Sequence, residues 1–193
     1  MCGVCGLFHY RPRGDAPGAE PARLQRTLRA MCDALVHRGP DSQGAHVERG
    51  LGLGMRRLAI IDPEGGEQPL YSEDRQVELV CNGEIYNAPA LRRRLRDRGH
   101  RLATGSDCEV IVHLYEELGP DCLDQLRGMF ALCLWDRRAR RLLLARDRIG
   151  IKPLYVADDG ATLRFGSEIK AIVQDPEVPR RLEELVLKLL EKK

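Results

Sequence analysis

The sequence predicts an α+β fold in which stacked antiparallel sheets are covered by helices. Short apolar runs of strand length recur along the chain, several follow one another through turns, and a few segments with helical spacing lie between them. A regular βαβ series would instead alternate strands and helices throughout. With 193 residues, 43% of them hydrophobic, the chain can bury the core of one domain with at most an appendage.

Composition excludes several classes of protein. Lys and Arg number 31 against 29 Asp and Glu, so the formal net charge is +2. No apolar run approaches the roughly 18 residues of a membrane helix, and Arg11 and Arg13 stand where a secretory signal would stay apolar. The seven cysteines are odd in number and scattered along the chain, unlike the closely spaced, even-numbered cysteines of a small disulfide-bonded secreted domain. We therefore expect a cytoplasmic protein with reduced thiols and no membrane contact.

The first third of the chain predicts strands around one helix. Residues 2–10 are an apolar run that ends before Pro12, which indicates a buried strand. Apolar residues then recur at helical spacing over residues 20–36, and the stop follows at His37-Arg38-Gly39-Pro40. Further strands are predicted at residues 51–61 and 77–81. The second of these runs into Asn82-Gly83, a step that favours a turn.

Two helices are predicted in the middle of the chain. Asn87 followed by Pro89 is a helix start, and Gly99 ends that helix. Its outer face carries five arginines, which fit a solvated face better than a nucleic-acid site, because no aromatic residue lies between them and the chain is nearly neutral. Ser106-Asp107-Cys108-Glu109 reads as a capping box for a second helix that runs to Gly119.

The last part of the chain predicts a hairpin and further short strands. Apolar runs at residues 129–135 and 141–145 flank a polar connection, and strands at 154–156 and 162–165 precede a short helix over 167–173. Residues 181–193 (RLEELVLKLLEKK) differ in composition from the Arg-rich body and have the spacing of an amphipathic helix. We expect this segment to be a cap, a partner-binding helix or linker remnant, or an engineered ending, after a domain formed by residues 1–180.

Cys2 is a candidate nucleophile because of its place in the chain. If Met1 is removed, the thiol and a free α-amine lie on one residue, and an α-amine, which titrates near about 7.7–8.0, can accept the thiol proton. No histidine is then required. Taken alone, Cys2 is better explained as a small buried core residue.

Nine sequence blocks decide between these interpretations. They are Cys2-Gly3, HRGPDSQG (37–44), RRLAIID (56–62), GEQPL (66–70), CNGEIYN (81–87), TGSDCEVI (104–111), GMFAL (128–132), RDRIGIKPLY (146–155) and FGSEIKAI (165–172). In this order they resemble the class II, N-terminal-nucleophile glutamine amidotransferases. The glutaminase domain of glutamine-hydrolysing asparagine synthetases is the branch they resemble most. The resemblance implies an Ntn-hydrolase αββα sandwich and the hydrolysis of L-glutamine through a Cys2 glutamyl thioester.

The resemblance also implies roles for five further residues. The oxyanion would be held by the Asn82 side chain and the Gly83 N–H, the substrate carboxylate by Arg57, and its ammonium by Glu84 and Asp107. Each has a simpler explanation when taken alone: Asn82-Gly83 as a hairpin turn, Arg57 in a surface ion pair, and Asp107 as an acidic first-turn residue. No cofactor and no metal are implied.

Three other segments have structural interpretations. We expect residues 37–42 to shape a loop beside the nucleophile, with His37 not catalytic, and Arg146, Asp147 and Lys152 to organise a buried ionic turn. Cys5 is expected to be a small buried side chain, although a Cys2–Cys5 redox pair or a CxxC zinc protein is an alternative.

The 193 residues contain no ATP-pyrophosphatase loop of the SGGxDS kind. We therefore expect a chain that makes ammonia, with an ATP-dependent synthetase domain or subunit as a possible partner, and no nucleic-acid partner. The competing hypothesis is a catalytically silent docking or regulatory module of the same fold.

Overall fold

Both predicted sheets are present, each in its own unit of the chain. The computed structural model describes residues 1–11, 19–178 and 187–189. One unit comprises residues 1–58 and 153–193, and the other comprises residues 59–152. Each unit combines one antiparallel sheet with helices, so the predicted α+β class is confirmed.

The first unit contains a six-stranded sheet in the order β10-β8-β9-β1-β3-β2. Its strands are β1 (Gly3–His9), β2 (Ser42–Glu48), β3 (Leu51–Arg57), β8 (Tyr155–Asp158), β9 (Thr162–Gly166) and β10 (Leu187–Leu189). Helix α1 (Ala19–Asp33) buries Leu24, Leu28 and Met31 against Leu7 of β1, and the short helix α4 (Ile169–Ile172) adds Ala171 to this core. The apolar run at the start of the chain is a buried strand, as predicted, and the structure places it inside the sheet.

The second unit contains a four-stranded sheet in the order β4-β5-β6-β7. Its strands are β4 (Leu70–Tyr71), β5 (Val77–Ile85), β6 (Gly128–Asp136) and β7 (Arg141–Arg146). Helices α2 (Ala88–Asp97) and α3 (Val110–Leu118) cover the sheet, with 3₁₀ segments at Asp107–Glu109 and Gly119–Gln125. Leu91, Leu95, Ile111 and Leu114 of the two helices join Leu132 of β6 in the core.

Two local predictions are wrong, and a third holds only in part. The Asn82-Gly83 step forms no turn, because β5 continues through it to Ile85 and pairs with β6. The capping box is absent, since Ser106 makes no side-chain cap bond. The arginine face of α2 is only partly solvated, because Arg92 turns inward and donates to the Ser106 carbonyl and to Glu109.

The helix predicted for residues 181–193, like the boundary at residue 180, lies almost wholly outside the described residues. Its described part, Leu187–Leu189, is strand and pairs antiparallel with β8. The Leu-Lys-Leu alternation has the two-residue period of a strand, which explains the departure from helix. None of the described helices combines the length and hydrophobicity that a bilayer crossing requires.

Candidate active site

The Cys2 side chain is fixed by the backbone that follows β3. Cys2 directly precedes β1, and Gly3 pairs with Arg56 of β3, so Cys2 leaves the sheet beside the end of that strand. The Leu58 N–H donates to Cys2 Sγ at 3.3 Å, and Sγ lies 3.6 Å from the Leu58 carbonyl oxygen. The half-buried sulfur therefore has a defined position, while Met1 is 60% exposed.

Arg38 holds the main chain of Cys2. Its Nε donates to the Cys2 carbonyl oxygen at 2.9 Å, and its Nη1 donates to Glu168 Oε1 at 3.1 Å. The same carboxylate receives His37 Nε2 at 2.8 Å and Lys170 Nζ at 3.1 Å. Burial raises the pKa of Glu168, but these three donors outweigh it and lower the pKa to about 2. Residues 37 and 38 thus organise the surroundings of Cys2.

Sequence reasoning missed the roles of Arg38, Leu58 and Glu168. Arg38 and Glu168 belong to the HRGPDSQG and FGSEIKAI blocks, so the signal was present as motif membership. No role could be assigned to them because the contacts join residues 130 positions apart in the chain. Leu58 acts through its main-chain N–H, which leaves no mark on the residue type.

Arg57 is buried at the end of β3. Arg57 is only 5% exposed, and its carbonyl oxygen accepts the Asp41 N–H at 3.1 Å. A surface ion pair is therefore excluded for this guanidinium. Because Gly3 pairs with Arg56, the structure brings Cys2 and Arg57 to the same end of the β1–β3 pair.

In the other unit, Asn82 and Gly83 lie inside strand β5. Asn82 pairs with Ala131 and Gly83 with Phe130 of β6. Asn82 is 2% exposed, and its Nδ2 has no hydrogen-bond partner among the described residues. A Cβ at Gly83 would lie 2.6 Å from the Met129 carbonyl oxygen, so β6 approaches too closely for any other residue. The glycine is required by this approach and not by a turn.

Glu84 and Asp107 lie near the end of β5. Glu84 is exposed and follows Gly83 on the strand. Asp107 begins the 3₁₀ segment, and its Oδ2 accepts the Ile85 N–H at 2.6 Å. Asp107 thus binds a neighbouring strand, which the explanation as a first-turn residue does not predict. The structure brings four predicted site residues together in this unit, Asn82, Gly83, Glu84 and Asp107.

Glu109 orders the loop that precedes Asp107. Its Oε2 accepts the Thr104 N–H at 3.0 Å and the Thr104 hydroxyl at 2.8 Å, and Oε1 accepts the Ala103 N–H. Burial raises the pKa of Glu109, but the nearby His113 and the bonds from Thr104 and Ala103 lower it to about 2. Glu109 of the TGSDCEVI block therefore supports the loop instead of capping α3.

The turn after β7 is organised by Asp147. Its carboxylate accepts the N–H groups of Ile149 at 3.2 Å, Ile151 at 2.9 Å and Lys152 at 3.0 Å. Burial raises the pKa of Asp147, and these backbone donors outweigh it, so the pKa is lowered. The predicted ionic turn is thus held by main-chain donors to one buried carboxylate.

The two cysteines of the CxxC segment have different neighbours. Cys5 is fully buried and its Sγ lies 3.6 Å from Cys32 Sγ, whereas Cys2 contacts Leu58. In the described ranges, the side chains that converge as potential metal ligands include no cysteine: Glu73, His100, His113 and Glu116.

Comparison with known proteins gives a family match over residues 1–192, to a model described as a glutamine amidotransferase domain. An asparagine synthetase [glutamine-hydrolyzing] of Bacillus subtilis is 40% identical over 181 residues, which is 94% of this chain and 23% of the relative. One from Arabidopsis thaliana is 46% identical over 179 residues, 92% of this chain and 29% of the relative. The chain thus spans between 23% and 29% of the length of these curated relatives.

Two solved structures share the fold. The glutamine phosphoribosylpyrophosphate amidotransferase of B. subtilis matches with a TM-score of 0.71 at 19% identity, covering all of this chain and 50% of that one. A structure titled the allosteric regulatory enzyme of purine biosynthesis matches with a TM-score of 0.74 at 20% identity, with the same coverage. The expected Ntn-hydrolase-like fold is confirmed by these neighbours.

Proposed function

Since the chain belongs to the glutamine amidotransferase family, we propose that it hydrolyses L-glutamine to glutamate and ammonia through a thioester on Cys2. The domain is homologous to part of the glutamine-hydrolysing asparagine synthetases. The single observation that carries the proposal is the setting of Cys2, a half-buried thiol held by the Leu58 N–H and by Arg38 at the end of β1.

The reaction begins once Met1 is removed. The α-amine of Cys2 accepts the thiol proton, and the sulfur attacks the side-chain carboxamide carbon of glutamine to give a tetrahedral oxyanion. The amine returns the proton to the leaving nitrogen, the C–N bond breaks, and ammonia departs from a glutamyl thioester. Water then attacks the thioester carbon and gives a proton to the amine. The C–S bond breaks, the amine returns this proton to the sulfur, and glutamate and the free thiol are released.

Asn82 and Gly83 are proposed to stabilise the oxyanion. Donors that are fixed before the charge forms contribute most to such catalysis, because they need no reorganisation. The Asn82 amide meets this requirement, as it is 2% exposed with its Nδ2 unpartnered among the described residues. Gly83 offers a backbone N–H on a strand where no side chain fits.

Arg57, Glu84 and Asp107 are proposed to bind the ends of free glutamine. A guanidinium can hold both oxygens of a carboxylate, which suits the buried Arg57 to the substrate carboxylate. Asp107 keeps the end of β5 in place through the Ile85 N–H, beside the exposed Glu84. Their carboxylates or backbone oxygens would receive the substrate ammonium.

Removal of the thiol tests the proposal. Protein with Cys2 as its first residue should release equal amounts of ammonia and glutamate, and Cys2→Ala or Cys2→Ser should reduce turnover by about a thousandfold or more. A glutamine-analogue electrophile should label Cys2, as read by peptide mass spectrometry. Cys122→Ala, at a fully buried thiol, is the matched control and should retain turnover.

Full turnover by Cys2→Ala would contradict the proposal. So would an unblocked Cys2 that neither releases ammonia nor forms the adduct, a result that would favour the docking or regulatory module instead.

We also propose that the ammonia passes to an ATP-dependent synthetase domain or subunit, since the relatives are named asparagine synthetases and are longer. With such a partner, ¹⁵N from the glutamine amide should appear in the aminated product. Cys2→Ala should abolish this transfer, and added ammonium should restore product formation. Failure of ammonium to restore it would contradict the coupling.

A further inference from the structure

Four potential metal ligands converge within residues 59–152, apart from the residues assigned to catalysis. They are Glu73, His100, His113 and Glu116, and one ligand atom from each lies within 4.8 Å of all the others. Two imidazoles and two carboxylates are a donor set that suits zinc and other first-row transition metals.

The closest nitrogen–oxygen distances lie at or a few tenths of an ångström above the edges of a tetrahedral site, with the two Glu73 distances measured to different carboxylate oxygens. Ligand bonds of about 2.0–2.1 Å to zinc imply ligand–ligand distances of roughly 3.3–3.4 Å. His113 Nδ1 lies 3.3 Å from Glu73 Oε2 and 3.6 Å from Glu116 Oε2. His100 Nδ1 lies 3.6 Å from Glu73 Oε1 and 3.7 Å from Glu116 Oε2. Small side-chain movements would therefore complete the coordination.

His113 is the second, independent indication of a ligand. Its side chain is 1% exposed, and neither Nδ1 nor Nε2 has a hydrogen-bond partner among the described residues. A buried polar group that makes no hydrogen bond is costly, and His113 Nδ1 lies at ion-pair distances of 3.3 and 3.6 Å from two carboxylates. A cation bound between them would give the ring a ligand bond in place of the missing hydrogen bond.

The outer nitrogens of both histidines face further carboxylates. His100 Nε2 lies 3.4 Å from Glu117 Oε1, and His113 Nε2 lies 3.9 Å from Glu109 Oε1. Metal-bound histidines commonly direct the second ring nitrogen at a carboxylate, which fixes the tautomer that leaves the first nitrogen free to bind. Both rings in this cluster have that orientation, with Nδ1 directed inward, although the 3.9 Å contact of His113 Nε2 is an ion-pair distance and not a hydrogen bond.

Three segments deliver the four side chains. His113 and Glu116 are one turn apart on α3, and His100 follows α2, where its N–H donates to the Leu95 carbonyl oxygen at 3.0 Å. Glu73 lies in the turn between β4 and β5, and the Arg101 N–H donates to its Oε1 at 2.8 Å. A bound ion would join this turn to both helices.

We propose that Glu73, His100, His113 and Glu116 form a structural binding site for a divalent transition metal, with Zn²⁺ as the preferred ion. Four protein ligands leave no open position, so the ion would stabilise this unit and would not act on a substrate. The site is independent of the glutaminase proposal.

Cobalt substitution tests the site on the full chain. Cys2→Ala serves as the parent, because Cys2 is the one cysteine of the seven that is not buried. One equivalent of Co²⁺ should give the intense d–d absorption of a tetrahedral ion without thiolate-to-cobalt charge transfer, and Zn²⁺ should displace it. Zn²⁺ should also raise the Tm.

Glu73→Gln and Glu116→Gln identify the ligands. Each single change should weaken Co²⁺ binding by at least about tenfold, and the double change should abolish it. The amide introduced by Glu73→Gln can still accept the Arg101 N–H through its carbonyl oxygen, and circular dichroism verifies that each variant is folded. Glu48→Gln, beside His46 at 3.4 Å, is the matched control and should bind as the parent does.

Three results would overturn the proposal: no Co²⁺ binding by the folded parent, a spectrum with thiolate charge transfer, or binding that the double variant retains. Any of them would show that these four side chains do not form the metal site.

Discussion

At the scale of the residue, Asn82 shows how the fold can override a local turn preference. Asn-Gly favours a two-residue turn when only neighbouring residues are considered. In the fold it lies within a nine-residue strand, buried, with the side-chain Nδ2 unpartnered among the described residues. Leaving a buried amide donor without a partner costs free energy, which is consistent with selection of the side chain for catalysis.

Asn82→Ala should therefore reduce activity without reducing stability. We expect kcat for glutamine hydrolysis to fall about 10²- to 10³-fold with little change in KM, because the donor acts on charge that forms in the transition state. The Tm should stay the same or rise, since an unpaired polar group is removed. Steady-state kinetics and thermal unfolding measure the two effects.

Asn87→Ala is the matched comparison. Its Nδ2 donates to the Gln125 carbonyl oxygen at 2.9 Å, and its Oδ1 accepts the Arg127 N–H at 2.9 Å. Its loss should lower the Tm and leave kcat nearly unchanged. An Asn82→Ala protein with normal kcat, or one that is destabilised like Asn87→Ala, would contradict the proposed role.

At the scale of the element, the sequence predicts helices and central strands better than edge strands and the ends of long strands. Helices α1, α2 and α3 and strands β1 and β6 follow from apolar periodicity, because each buries a continuous face. Strand β2 was not predicted, since its Ser, Gln, Gly and His residues are half-exposed or exposed along a sheet edge.

The extension of β5 through Asn82 and Gly83 depends on a partner that is distant in sequence. Its pairing residues, Ala131 and Phe130, are more than 40 positions away, so nothing in the local pattern indicates them. The candidate site also depends on contacts that are distant in sequence. Motif resemblance was enough to name Cys2, Asn82 and Asp107 as candidate residues. The contacts made by Leu58 and Arg38 required the fold.

Gly83→Ala should destabilise the β5–β6 pairing. A Cβ there would lie 2.6 Å from the Met129 carbonyl oxygen and 2.7 Å from Phe130 Cβ, so backbone must move. Overpacking of this kind costs about 1–3 kcal/mol of the free energy of unfolding. Urea denaturation measures the loss.

Gly52→Ala provides the control on another strand. Its new Cβ would lie no closer than 3.6 Å to any neighbour, an ordinary contact. We expect its free energy of unfolding to be unchanged or slightly higher, because alanine restricts the unfolded chain. Equal stability of the two variants would show that the close approach of β6 to Gly83 does not constrain the strand.

At the scale of the whole molecule, stability in acid depends on carboxylates that are held ionised by the fold. In the first unit, Glu168 receives bonds from His37, Arg38 and Lys170. In the same unit, Asp159 accepts the N–H of Thr162 at 2.8 Å and pairs with the buried Arg164 at 2.7 Å. Burial raises the pKa of Asp159, but these donors lower it to about 2, the value reached by Glu168 as well.

The direction of the pH effect follows from these lowered pKa values. The ordinary pKa values are 4.5 for Glu168 and 3.8 for Asp159, so the unfolded chain takes up protons before the folded chain does as the pH falls. The stabilisation is fully present above about pH 5 and is lost between there and about pH 2. A variant without both carboxylates should therefore be less stable than the parent at pH 7, and the difference should shrink as the pH approaches 2.

Glu168→Gln combined with Asp159→Asn tests this by urea unfolding at a series of pH values. The amides keep the side-chain volumes, so loss of charge is the main change. Asp124→Asn is the control, because that side chain is 80% exposed and only loosely paired with Arg148 at 3.5 Å. Surface pairs of this kind contribute little, so its stability should follow the parent at every pH. A double variant whose deficit is the same at pH 7 and pH 3 would show that these carboxylates do not account for the acid sensitivity, since the loss would then be independent of their ionisation.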